Sequence, residues 1–87
     1  MICIELSFTD DPARLAARPA HRERLGELHA SGLLLAAGPW QDNTGALVIL
    51  SVDNDRQAQD IMDRDPYFTT PGVVVRAVRA WQPILGP

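Results

Sequence analysis

Two stretches of this chain, Leu33 to Trp40 and Ala46 to Val52, are apolar at alternate positions and at the positions between them as well. In an extended strand successive side chains point to opposite faces, so both stretches present apolar surface on two sides. Leu33, Leu35, Ala37, Val48, Leu50 and Val52 are expected on one side, and Leu34, Ala36, Leu47 and Ile49 on the other. Strands of that kind are normally covered on both faces. A chain of 87 residues makes one domain, residues 1–87, with few elements left to do the covering. That shortage governs both the fold and the assembly.

The other elements follow from periodicity and punctuation. Ile2, Ile4, Leu6 and Phe8 alternate with other residues and predict a first strand. Thr9-Asp10-Asp11-Pro12 ends it. A helical stretch in two pieces is expected next, because Pro19 lacks a helix-interior N–H but suits a first turn. The main helix is placed at Pro19 to Ser31, closed by Gly32 as a left-handed cap. Asp42-Asn43-Thr44-Gly45 is turn chemistry between the two apolar strands. Asp53-Asn54-Asp55 caps a second helix to about Arg64, which Asp65-Pro66 breaks. Pro71-Gly72 turns the chain into a last strand, Val73 to Trp81. The order β-α-β-β-α-β is the ferredoxin-like α+β arrangement, an antiparallel sheet with both helices on one face. Two helices leave the second face bare. A second copy is the simplest cover, through a two-fold homodimer, since an exposed apolar sheet is an aggregation hazard.

Composition narrows the function classes. With 46% hydrophobic and 22% charged residues the chain is expected to fold, not to stay disordered. The net charge of −3 offers no basic excess for nucleic acid. No apolar run reaches the ~18 residues of a membrane span, and no signal-like segment is seen, so a cytoplasmic protein is expected. All eight basic residues are arginine. Schiff-base chemistry and a phosphate-loop lysine are therefore excluded. Lone Cys3 suits a small packed residue better than a nucleophile.

His21 is the most informative candidate. At ~100° per residue, Leu25 and Leu28 lie about 40° and about 20° to either side of it, at the centre of the helix's apolar stripe. A histidine there is either a satisfied core residue or a titrating group in a pocket. Asp65 falls between Ile61 and Met62 on the second helix, if that helix reaches it. It serves either chemistry or the capping of a new helical turn at Pro66. Arg18, one turn before His21, suits a carboxylate or phenolate, or is a surface charge neutralised by Glu23 or Asp10. His29 lies eight residues from His21, which is not the spacing of a helical metal pair. No metal ligand set or cofactor fingerprint is present.

Arg18-Pro19-Ala20-His21 with Leu25, Leu28 and His29, then Gly32-Leu33-Leu34, Ala37-Gly38-Pro39, Gly45, Asp65-Pro66-Tyr67 and Trp81 together resemble the YciI-like (YCII-related) family of small bacterial proteins. The resemblance spans nearly the whole chain. It implies a ferredoxin-like fold dimerised sheet to sheet, a dimeric α+β barrel. It also implies a site on a histidine and an aspartate, which map to His21 and Asp65, with Arg18, Gly38, Pro39 and Tyr67 as candidate substrate-binding residues. Related barrels include muconolactone isomerases, and one member resembles a dehydrochlorinase of a chlorinated hydroxyquinol. The turn Gln41 to Thr44 is shorter than many relatives carry, which would alter the pocket rim.

Two function classes follow. In one, His21 and Asp65 perform general acid–base chemistry on a small anionic or phenolic substrate, as a lyase, isomerase or dehalogenase, with no metal or organic cofactor required. In the other, the chain is a non-catalytic ligand-binding or scaffolding dimer. Geometry sets a difficulty for the pair. With His21 opening the first helix and Asp65 ending the second, roughly parallel one, helix length alone separates them by ~15 Å. A direct hydrogen bond requires strongly crossed helices or a fold-back of the Asp65 segment.

Overall fold

The alternation of Ile2, Ile4 and Leu6 places β1 (Ile2–Phe8) at the centre of the sheet, where those three side chains are almost wholly buried. The computed structural model describes residues 1–86. β1 is followed by α1 (Ala13–Ala30), β2 (Leu34–Pro39), β3 (Gly45–Leu50), α2 (Asp55–Asp63), a short 3-10 helix (Pro66–Thr69) and β4 (Val73–Ala80). The sheet order is β2-β3-β1-β4 with every neighbouring pair antiparallel. Each βαβ unit leaves a gap between its two strands that a strand of the other unit fills. This is the ferredoxin-like α+β fold.

One sheet face forms the core. Ile2, Ile4, Leu6, Val48 and Leu50 pack with Leu28 from α1 and with Ala58, Ile61 and Met62 from α2. Asn54 caps α2 by accepting from the backbone N–H of Gln57 at 2.9 Å. Gly32, at φ +83°, closes α1 as expected. On the opposite face Cys3, Leu47 and Ile49 are half-buried and Ala36 is exposed, and among the described residues no helix packs above them.

Two expectations need correction. α1 is one helix of 18 residues running through Pro19, not two pieces. Pro19 leaves the Leu15 carbonyl without its helical donor, but both residues lie on the exposed side, where water can serve it. Asp11 starts the helix early, its Oδ1 accepting from the Ala13 N–H at 2.9 Å. The facing of β2 is also shifted. Leu34 pairs with Leu50 and Ala36 with Ile49, so Leu35 is an extra residue, a β-bulge. Leu34 therefore turns into the core while Leu33 stays 41% exposed, and beyond the bulge Ala37 returns to the helix-covered face opposite Val48.

Gly45 opens β3 where it crosses β1. A Cβ built there would stand 2.0 Å from the Leu6 carbonyl oxygen, a backbone atom with no freedom to yield. Gly45→Ala is expected to cost about 3 kcal/mol, the upper range for forcing an extra carbon into a packed interior. For a domain of this size that is a fall of more than about 10 °C in Tm, measurable by calorimetry.

Candidate active site

The early start of α1 puts His21 in the middle of that helix, at its apolar stripe with Leu25 and Leu28. α2 ends at Asp63, and Asp65 leaves it in extended conformation, φ −123° and ψ 104°. The chain then folds back as the 3-10 helix, with Pro66 at its first turn, where a missing N–H is harmless. The expected separation of His21 from Asp65 is thereby removed. His21 Nδ1 lies 2.6 Å from Asp65 Oδ2, across 44 residues of sequence, and the two residues are 7% and 5% exposed.

Asp65 performs both roles that the sequence left open. Oδ2 accepts from His21, while Oδ1 accepts from the Tyr67 backbone N–H at 3.1 Å and caps the 3-10 helix. A carboxylate has no proton to donate, so Nδ1 carries the hydrogen and Nε2 is the ring nitrogen left for a ligand. The same segment grips the rest of the imidazole. The Tyr67 ring stacks on it at 3.9 Å between centroids and 7° between planes, and Phe68 meets it edge-on at 5.5 Å. Asp65, Tyr67 and Phe68 thus fix the hydrogen bond, the face and the edge of one ring.

His21 borders a cavity of about 480 Å³ on the helix-covered side of the sheet, between the first half of α1 and β1, β2 and β3. Arg18, Gly38, Pro39 and Tyr67 also line it, whereas Asp65 sits behind His21 and does not. The space exists because β2 offers only Ala37, Gly38 and Pro39 opposite the helix. A second hollow, on the far side of the pair, is bordered by Glu23, Arg24, Glu27 and Arg64 together with His21 and Asp65. At the β2–β3 turn, hydrogen bonds from the Thr44 hydroxyl and N–H hold the Asp42 carboxyl below its ordinary range. That ties down the loop carrying Asn43, another lining residue. Among the described residues no three His, Cys, Asp or Glu side chains converge as a metal site.

Arg14 and Arg22 also line the cavity, and sequence reasoning missed both. Their signal was present, since positions 14, 18 and 22 share a face of a continuous helix. Breaking the helix at Pro19 hid it. Arg18 makes no ion pair with Glu23 or Asp10, because among the described residues the ion pairs are His21–Asp65 and Arg24–Glu27.

Fold and site together define a small ferredoxin-like domain with a buried histidine–aspartate pair beside a cavity. The sequence profile of the YCII-related domain matches residues 2–82, and the chain belongs to that family. Protein YciI of Escherichia coli O6:H1 (strain CFT073) and of Shigella flexneri are each 42% identical to it over 64 residues. Those matches cover 62% of this chain and 65% of the relatives' length. Among solved structures, the chain resembles 5-chloro-2-hydroxyhydroquinone dehydrochlorinase (TftG) from Burkholderia phenoliruptrix AC1100, in complex with 2,5-dihydroxybenzoquinone. The TM-score is 0.65 at 19% identity, covering 94% of each chain, a likeness of fold.

The two Asp65 oxygens are separable by substitution. Asp65→Ala loses the cap and strands a buried His21 N–H, and is expected to cost about 2–4 kcal/mol in chemical denaturation. Asp65→Asn keeps an oxygen for Tyr67 but turns an amide N–H toward Nδ1. The imidazole should then switch to the tautomer protonated on Nε2. Nitrogen-15 NMR of His21 reads that switch directly, and retention of the Nδ1–H form would show that Asp65 does not set the tautomer.

Proposed function

We propose that this protein is a homodimeric enzyme in which His21, oriented by Asp65, transfers a proton to or from a small anionic or phenolic substrate bound in the cavity. The observation that carries the proposal is the buried 2.6 Å hydrogen bond from His21 Nδ1 to Asp65, on a histidine that lines the cavity. It fixes the tautomer, so Nε2 acts as general base or acid, and the carboxylate balances the charge that develops on the ring. Arg18, Gly38, Pro39 and Tyr67 form the substrate's surroundings. After Nε2 takes a proton, the electron pair left on the substrate forms a new double bond. Either a leaving group departs, or the proton returns at another carbon. The dehydrochlorination named for the structural neighbour supports an elimination of this kind. Proton transfer by this pair calls on no metal or organic cofactor.

His21→Ala is expected to lower turnover by ~10²–10⁴ once a substrate is in hand. A thermal-shift screen of small carboxylates, lactones and phenols supplies that substrate class. A hit present in the wild type and absent in His21→Ala supports the proposal, and near-full turnover in His21→Ala overturns it.

The homodimer rests on the bare sheet face. Leu47, Ile49, Ala36 and Cys3 are its apolar residues around the exposed Glu5 of β1, and Val74, 36% exposed, extends it onto β4. Sheet-to-sheet pairing by a two-fold axis would bury it. Burial already raises the Cys3 thiol above its ordinary value, against partial offsets from the N-terminal ammonium and Arg79. A dimer should raise it further and slow its alkylation. Light scattering is expected to give twice the 9.5 kDa chain mass. Dilution below the dissociation constant should accelerate thiol labelling of Cys3, and a stable monomer at micromolar concentration refutes the assembly.

A further inference from the structure

We propose that the ligand of the His21 cavity is a small dianion with at least one carboxylate, and that Arg14 and Arg22 bind it alongside Arg18. The inference rests on the reading of this cavity as the substrate site, and goes on to the charge of what fills it. Among the described residues three arginines line the cavity, and no aspartate or glutamate does. None of the three is in an ion pair among the described residues. Like charges at i, i+4 spacing destabilise a helix, and here that spacing occurs twice in succession, 14 to 18 and 18 to 22.

The first of these arginines along the helix is already held in place. The Arg14 guanidinium carbon lies 4.1 Å from the centroid of the Phe8 ring, and the Arg14 Nε is buried with no hydrogen-bond partner among the described residues. A cation stacked on an aromatic face with donors to spare suits a planar carboxylate. The row also has a direction. Arg14 precedes His21 by seven residues, about 10 Å along the helix axis, while Arg18 and Arg22 flank His21 in sequence. One acidic group at Arg14 and a second near Arg18 and Arg22 would lay a single-ring or five-carbon skeleton along the wall, its reacting end beside His21. The cavity's volume suits a molecule of that size.

Calorimetric titration at low salt tests this with matched probes: isophthalate and terephthalate against benzoate, glutarate against butyrate, and phenyl phosphate as the phosphoryl counterpart. At least one dicarboxylate is expected to bind ten-fold or more tighter than its monocarboxylate. Arg14→Gln and Arg22→Gln should each erode that preference about ten-fold, the scale of one charge-assisted contact. Arg56→Gln, which removes the same charge from an exposed position of α2, should leave it intact. Arg22→Gln should melt at or above the wild-type temperature, since it relieves a like-charge neighbour, whereas Arg14→Gln also gives up the contact with Phe8. No dicarboxylate outbinding its monocarboxylate overturns the proposal, as does a preference that survives both substitutions. Tighter binding of phenyl phosphate than of every dicarboxylate overturns the carboxylate assignment. His21→Ala separates the two ideas: a dianion preference that persists there beside unchanged turnover refutes the acid–base role and leaves the anion site standing.

Discussion

The hydrogen bond between His21 and Asp65 is the contact around which the helical layer is organised. Taking a carboxylate and an imidazole out of water is costly unless each finds a partner of good geometry. Here each is the other's partner, and Asp65 has a second donor in the Tyr67 N–H. Satisfying that pair requires α2 to end where it does, so that Asp65 can turn back toward α1. The turn, in its course, lays Tyr67 and Phe68 into the core, both almost fully buried. A polar contact thus fixes where the apolar residues of the 3-10 helix go.

A second constraint is the one-sidedness of the architecture. Both helices pack on the face carrying Ile4, Val48 and Leu50, and on that same face the small residues of β2 leave the space beneath α1 unfilled. The bulge at Leu35 matters to this. Without the extra residue, Leu34 and Ala37 could not both face the helices, since they are three positions apart. With it, Leu34 closes the core beneath α1 while Ala37 and Pro39 border the cavity. The position of the cavity therefore depends on one inserted residue in an edge strand.

Elements punctuated by local chemistry were legible in the sequence. β1 declares itself by alternation, α2 by the Asn54 cap, and the end of α1 by Gly32. The order of elements, and with it the ferredoxin-like fold, followed from these. What was illegible depended on tertiary context. Pro19 is a helix breaker by propensity, yet α1 passes through it because the helix face at Leu15 is wet and the rest of the helix is anchored on the sheet. The Leu35 bulge leaves no mark in a run of small and aliphatic residues. His21 and Asp65 were recognisable as residues out of character with their surroundings, but their meeting was not. It needed the path of the chain after Asp63, which no local periodicity encodes. The arginine row was lost with the helix that carries it.

The two kinds of residue in this site stand in different relations to stability. Asp65 caps a helix and satisfies a buried ring, so a scaffold and an enzyme would both retain it, and its presence alone does not distinguish them. Among the described residues Arg14, Arg18 and Arg22 make no ion pair, and they crowd like charges along one helix face. Arg14 gains a stacking contact with Phe8, but no acid among the described lining residues offsets the three like charges. An arrangement that opposes stability, on the same helix as a histidine whose tautomer is fixed, is the observation behind the proposed anion site. The case for function therefore rests more on the arginine row, whose like charges the fold does not require, than on the pair that the fold needs.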